Sequence, residues 1–143
     1  MFSFFEVEYN FASLEDGNET ALKDYYRVLN SRLKALINLV MGKLNKRDRT
    51  KIMTLITVDV HNRDIVDMLV QNKIENAQEF AWQSQMRYSY DPDTNNPDRC
   101  KLLVYDAVMD YCWEYIGNTG RLVITPLTDR CYITLTQVKQ YSK

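Results

Sequence analysis

Residues 20–72, TALKDYYRVLNSRLKALINLVMGKLNKRDRTKIMTLITVDVHNRDIVDMLVQN, decide the fold. In their first half apolar side chains recur at Leu22, Tyr25, Tyr26, Leu29, Leu33, Leu36, Ile37, Val40 and Leu44. Steps of three and four put these on one stripe of a long helix. Gly42 and Asn45 mark its end, and Asn45 can also cap the next helix, with Asp48 near that helix's positive dipole end. The second helix is predicted over about 47–72, with Ile52, Leu55, Ile56, Val60, Ile65, Val66 and Leu69 on its stripe. Val58-Asp59-Val60 reads as strand in isolation, but the helical stripe on both sides decides for helix. The tight 43–46 connection then predicts an antiparallel helical pair.

Outward from this hairpin the signals are shorter. Phe5, Val7, Tyr9 and Phe11 alternate with Glu6, Glu8 and Asn10, which predicts a strand or extended segment over 2–11. Ser13-Leu14-Glu15-Asp16 has capping-box spacing before the long helix, and Gly17-Asn18 delays its start. A short helix is expected over 75–84, carrying Phe80 and Trp82. Strands follow at 86–90, 102–105 and 108–116. Asp91 to Asp98, with prolines at 92 and 97, is a polar turn. Leu122-Val123-Ile124 is a short apolar run, and Thr125-Pro126 is the start signal of a helix over about 126–140. The fold class is therefore α+β: a long antiparallel helical hairpin, a small antiparallel β region and a C-terminal helix.

Composition excludes several functions. With 143 residues, 45% apolar and 26% charged, the chain is ordinary for one domain or part of a larger one. A net charge of −1 makes no electrostatic case for nucleic acid or an anionic membrane. No apolar run approaches the ~20 residues of a membrane span, and the apolar start at Phe2 lacks the basic region of a secretory signal. Cys100, Cys112 and Cys131 are odd in number and widely spaced, which reads as reduced cytosolic thiols rather than a disulfide framework or zinc site.

Catalytic constellations are equally scarce. His61 stands alone, without the nucleophile or second ligand that base or zinc chemistry requires, so a structural or interface role is expected. The Asp91–Asp98 turn lacks the central glycine and terminal glutamate of an EF-hand. None of the four glycines belongs to a GxxxxGK[ST] or GxGxxG phosphate loop. By pattern alone Leu122–Ile124 is a buried strand, and Asp129 sits near the positive end of a capped, solvated helix start.

Four ordered stretches resemble dynein heavy chains. Glu114 to Gln137, containing Gly117-Asn118-Thr119-Gly120-Arg121-Leu122-Val123-Ile124-Thr125-Pro126-Leu127-Thr128-Asp129-Arg130-Cys131-Tyr132, is similar to the junction between the linker and the first AAA+ module. Val58-Asp59-Val60-His61-Asn62-Arg63-Asp64 resembles a linker helix, and Trp82 to Tyr88 its following helix–strand corner. Glu8 to Glu19 is most similar to axonemal outer-arm heavy chains. The resemblance runs from about Phe5 to Gln137. It departs at the end, where the family continues to a Walker A loop and this sequence reads Val138-Lys139-Gln140-Tyr141-Ser142-Lys143.

The resemblance implies residues 1–116 as the C-terminal part of a dynein linker and 117–143 as the start of the first, hydrolytic AAA+ module. It implies a minus-end-directed microtubule motor as the parent, with ATP or ADP as its cofactor. It makes Leu122, Val123, Ile124, Thr125, Pro126 and Leu127 the adenine-side loop. Without a phosphate loop the chain alone is expected neither to bind nucleotide tightly nor to hydrolyse it, and no catalytic or metal residue is assigned. Arg121, Asp129 and Arg130 are candidate ring or linker contacts. The expected partners are the rest of the AAA+ ring and the dynein complex, with no nucleic acid or membrane. The expected location is cytoplasmic, on the cytoskeleton of a ciliary axoneme. The alternative is a stand-alone helical interaction module derived from a linker. The two differ over Cys131, Tyr132, Ile133 and Leu135: apolar exposure there favours the motor fragment.

Overall fold

The computed structural model describes residues 2–90, 100–112, 114–115 and 125–141. The chain divides into two compact units, 1–77 and 78–143.

The first unit is three helices: α1 (Phe2–Glu15), α2 (Ala21–Met41) and α3 (Lys46–Gln71). α2 buries Ala21, Leu22, Tyr25, Leu29 and Leu33, all in its first two thirds, while α3 buries Asn62, Ile65, Val66 and Leu69 near its far end. That pairing of an early half with a late half is the signature of the antiparallel hairpin. Asn45 caps α3 as expected, its Oδ1 accepting the Asp48 N–H at 2.8 Å. The turn is tied from the other side by Arg49, which donates to the carbonyls of Val40 (2.9 Å) and Gly42 (3.2 Å). These are carbonyls that a helix end leaves without intrahelical donors. The β-branched residues of α3 are accommodated locally, since Thr50, Thr54 and Thr57 each return their hydroxyl to the carbonyl four residues back.

The N-terminal segment corrects the sequence reading. Residues 2–15 are a helix, not a strand. The alternation Phe5, Val7, Tyr9, Phe11 conceals a second pattern, Val7, Phe11 and Leu14, with helical steps of four and three. The helical pattern wins because its members meet α2: Val7 and Phe11 are buried to 2% and 1% exposure, whereas Tyr9 is 73% exposed. Ser13 to Asp16 consequently closes α1 instead of opening α2. Gly17, at φ +97°, makes the left-handed turn, and its N–H and that of Asn18 return to Leu14 and Ser13.

The second unit holds α4 (Phe80–Gln83), β1 (Arg87–Tyr90), β2 (Cys100–Val104), β3 (Ala107–Asp110) and α5 (Pro126–Tyr141). The strands form an antiparallel sheet in the order β1-β2-β3, with Tyr88 opposite Leu102 and Leu103 opposite Val108. Its core is Trp82, Cys100, Val104 and Ala107. Tyr105 opens the two-residue β2–β3 turn at φ +52°, a region that non-glycine residues rarely occupy. Its N–H donates to the Gln83 carbonyl at 2.7 Å, and its ring meets Phe80 edge-on at 5.3 Å. β3 is shorter than the 108–116 strand expected. The predicted turn at 91–98 and the apolar run 122–124 lie outside the described residues. α5 packs along β3.

Candidate functional site

Of the six residues implied as an adenine-side loop, Leu122, Val123 and Ile124 lie outside the described residues, as does Arg121. Thr125, Pro126 and Leu127 form the entry to α5. Thr125 and Thr128 cap this entry reciprocally. The Thr128 N–H donates to Thr125 Oγ1 (3.3 Å) and the Thr125 N–H to Thr128 Oγ1 (2.8 Å), whose own hydroxyl donates to the Thr125 carbonyl (2.9 Å). Pro126 occupies the first helical position, where its missing N–H removes no bond. Asp129 lies in the first turn, near the positive end of the helix. The entry is thus built rigidly from short-range bonds, with Thr125 exposed and Leu127 70% exposed.

Along α5 the apolar side chains do not all face inward. Leu127, Cys131, Leu135 and Val138, spaced by four, four and three, form an exposed stripe, with Leu135 at 67% and Val138 at 61% exposure. Tyr132 flanks it at 44%. Ile133 is half-buried. A contiguous apolar stripe of this kind is the surface that other protein normally covers.

The first unit contains two arrangements that short-range patterns do not reveal. Glu6 of α1 accepts a forked pair from Arg32 (2.8 and 3.0 Å) and a third hydrogen bond from the Tyr25 hydroxyl (2.8 Å). These partners are 26 and 19 residues away. The Arg32 hydrogen bonds outweigh partial burial and hold the Glu6 carboxyl below the usual carboxylate range. Asp59 of α3 also feels the charge of Arg32. Desolvation raises its carboxyl above the usual range, partly offset by the charge of Arg32. Elsewhere, a cavity of about 410 Å³ opens between the end of α1, the start of α2 and the end of α3. Its apolar wall includes Leu14, Leu22 and Ile74, and its rim mixes Glu19 and Glu75 with Lys23 and Lys73. Charges of both signs on one rim favour neither a phosphate nor a cation. Among the described residues no group of three or more His, Cys, Asp or Glu could hold a metal ion. No described helix is long and apolar enough to cross a membrane.

Comparison with known proteins decides what this combination is. Residues 111–143, which include the capped entry and the exposed stripe, match the family model of the hydrolytic ATP binding site of the dynein motor region. Over 132 residues, 92% of its length, the chain is 52% identical to human dynein axonemal heavy chain 9 and 53% identical to the ciliary dynein beta chain of Tripneustes gratilla. This chain is homologous to a stretch of the dynein heavy-chain motor region. The flagellar outer-arm dynein beta chain of Chlamydomonas reinhardtii is 44% identical over 140 residues. The chain spans only about 3% of the length of each of these heavy chains. The dynein stretch thus includes both the helical hairpin and the entry to the ATP-site family's segment.

Proposed function

We propose that this chain serves as the joint of an axonemal dynein heavy chain between its mechanical linker and its first ATP-binding module. In this reading residues 1–116 are the C-terminal part of the linker and 117–143 open the hydrolytic module. The parent is an ATP-driven, minus-end-directed microtubule motor of the ciliary axoneme, and the partners of this stretch are the remainder of the AAA+ ring and the dynein complex.

The observation that carries the reading is the match of residues 111–143 to the dynein ATP-site family in a chain whose preceding hundred residues also follow dynein heavy chains. The exposed stripe on α5 supports it over a stand-alone helical module, which would have to bury Leu127, Leu135 and Val138 in its own core. In the motor, this stripe packs against the rest of the ATP-binding module.

The chemistry assigned to the site is binding, not catalysis. The apolar run Leu122-Val123-Ile124 can lie against a purine, and its backbone groups can read the base edge. The capped helix start at Thr125 then fixes where that run ends. Most nucleotide affinity in such sites comes from charge-assisted phosphate contacts, and these 143 residues contain no GxxxxGK[ST] sequence to make them. ATP bound in the motor would therefore take its base contacts here and its phosphate contacts elsewhere.

Two measurements test this. In a heavy chain of motor length carrying these residues, Ile124→Asp is expected to raise KM for ATP about tenfold or more, the penalty of placing a carboxylate against an apolar base. An unchanged KM removes the adenine-side assignment. Calorimetry of the 143-residue chain with Mg-ATP and Mg-ADP is expected to give no saturation at millimolar nucleotide. Saturable binding there would place phosphate contacts within these residues and overturn the division of labour.

A further inference from the structure

Charge is unevenly distributed along the helical hairpin. Residues 34–58, which form its turn end, carry six cationic side chains and one carboxylate, Asp48. The rest of the first unit, 1–33 and 59–77, carries ten carboxylates and five cations. The unit is thus neutral in total, at +5 on its tip and −5 on its base. α3 alone is about 39 Å long at the ordinary helical rise, so salt screens the tip from its own base.

Local pairing leaves charges over at both ends. At the tip, Arg49 holds the carbonyls of Val40 and Gly42, and Lys51 faces Asp48 at 3.8 Å. Lys43, Lys46 and Arg47 are exposed and belong to no ion pair among the described residues. The same holds for Glu15, Asp16, Glu19 and Glu75 at the base. The apolar surfaces of the two ends match as well. No side chain from 34 to 61 is buried, and Met41, the last residue of α2, is 82% exposed. At the base, the cavity of about 410 Å³ offers an apolar wall of Leu14, Leu22 and Ile74. It has room for a methionine side chain, and Glu15, Glu19 and Glu75 outnumber Lys23 and Lys73 around it.

We propose that the hairpin tip of one copy of this chain docks in the base cavity of a second copy. Met41 seats on Leu14, Leu22 and Ile74, while Lys43, Lys46 and Arg47 meet Glu15, Glu19 and Glu75. The base answers the tip in three ways: opposite net charge, unpaired carboxylates for unpaired cations, and an apolar recess for an exposed apolar side chain. Each copy has one tip and one base, so a two-fold pair uses both at once. Parallel pairing sets tip against tip, where like charges repel. The contact is independent of the ATP-site assignment.

Sedimentation equilibrium of the 143-residue chain under reducing conditions tests this. A pair is expected at low ionic strength, weakening about tenfold or more as salt rises. Association through the α5 stripe is apolar and does not weaken with salt, so the sign of the salt effect separates the two. Lys43→Glu, Lys46→Glu and Arg47→Glu together are expected to abolish the salt-sensitive pair at unchanged far-UV dichroism. Glu15→Lys, Glu19→Lys and Glu75→Lys together should do the same. Mixed in equal amounts, the two reversed chains pair again, because each tip now matches the other's base. Met41→Ser is expected to weaken pairing about tenfold in the parent chain and in the mixture, the size of one apolar side chain returned to water. A parent chain without salt-sensitive association overturns the proposal, as does a pair that survives reversal of the tip. Mixed pairing indifferent to Met41→Ser reduces the contact to net-charge attraction and overturns the seating. A chain that stays monomeric but binds a polyglutamate peptide through its tip gives the tip a different acidic partner and overturns the second copy.

Discussion

Thr125 and Thr128 hold each other at the start of α5: each accepts the other's backbone N–H through its hydroxyl oxygen, at 3.3 and 2.8 Å. This reciprocal cap sits where the apolar run of residues 122–124 passes into the helix. Thr125→Ala is expected to destabilise the helix start by about 1 kcal/mol, the usual loss for a threonine cap. Because the two hydroxyls share one set of bonds, Thr128→Ala added to it should cost clearly less than the two single losses combined. Amide exchange at residues 126–130 measures both, and strict additivity would show that the caps act independently.

The far end of the hairpin is set by Asn45 and Arg49. Asn45→Ala removes the Asp48 N–H acceptor and should cost about 1 kcal/mol. Arg49→Ala removes two donors from the last carbonyls of α2 and should cost about as much. Arg49→Lys is expected to recover little, since a single ammonium cannot reproduce the fork. Urea denaturation of the three variants checks this ranking.

Leu69 is completely buried at the base of the hairpin. Leu69→Ala should destabilise the first unit by about 2–5 kcal/mol, the range for leucine truncation in a closed core. Leu55→Ala, on the same helix but 47% exposed, should fall near about 0.5 kcal/mol. Comparable losses at the two positions would mean that the distal half of α3 is covered in solution.

The carboxylates around Arg32 titrate with opposite consequences. The folded-state pKa of Glu6 is lowered, so its contribution is present above the unfolded value, roughly 4.3, and is lost as pH falls through the folded value. Asp59 is raised, so its relative contribution is full below its unfolded value, roughly 3.9, and is lost as pH rises through the folded one. At neutral pH Glu6→Gln should therefore destabilise and Asp59→Asn stabilise, each by no more than about 1 kcal/mol at these partly exposed sites. Both differences should vanish in acid, which stability curves between pH 3 and 7 would display.

The exposed stripe of α5 should make the isolated chain adhesive. Serine at Leu127, Leu135 and Val138 together is expected to lower binding of a hydrophobic dye and self-association at unchanged far-UV dichroism. In a motor-length heavy chain the same three substitutions should instead impair folding or ATPase activity, because there the stripe has a partner. Equal tolerance in both settings would remove the proposed packing role.

Much of the molecule was legible from residue order. Leu22, Leu29 and Leu33 on one helix, and Ile65, Val66 and Leu69 on the next, repeat within a turn or two, so periodicity exposes them. Asn45 with Asp48 is likewise a local device, readable because donor and acceptor lie three residues apart, and Thr125-Pro126 is a helix-start signal carried by two adjacent residues. The dynein relationship was legible for a different reason: several short motifs kept one order over more than a hundred residues.

Tertiary structure alone decided the rest. Phe5 to Phe11 satisfied a strand period and a helix period together, and only the contact of Val7 and Phe11 with α2 chose between them. Glu6, Tyr25 and Arg32 lie on two helices, and no local spacing announces that the Glu6 carboxylate takes hydrogen bonds from the other two. The inward and outward faces of α5 could not be assigned from its own pattern either, because Leu135 and Ile133 are equally apolar and differ only in what lies beside them. The sequence by itself therefore determined the helical hairpin, its caps and the dynein kinship, which depend on neighbours along the chain. Tertiary structure decided the state of the N-terminal helix, the carboxylate cluster and the exposed stripe, because burial and electrostatics depend on distance in space.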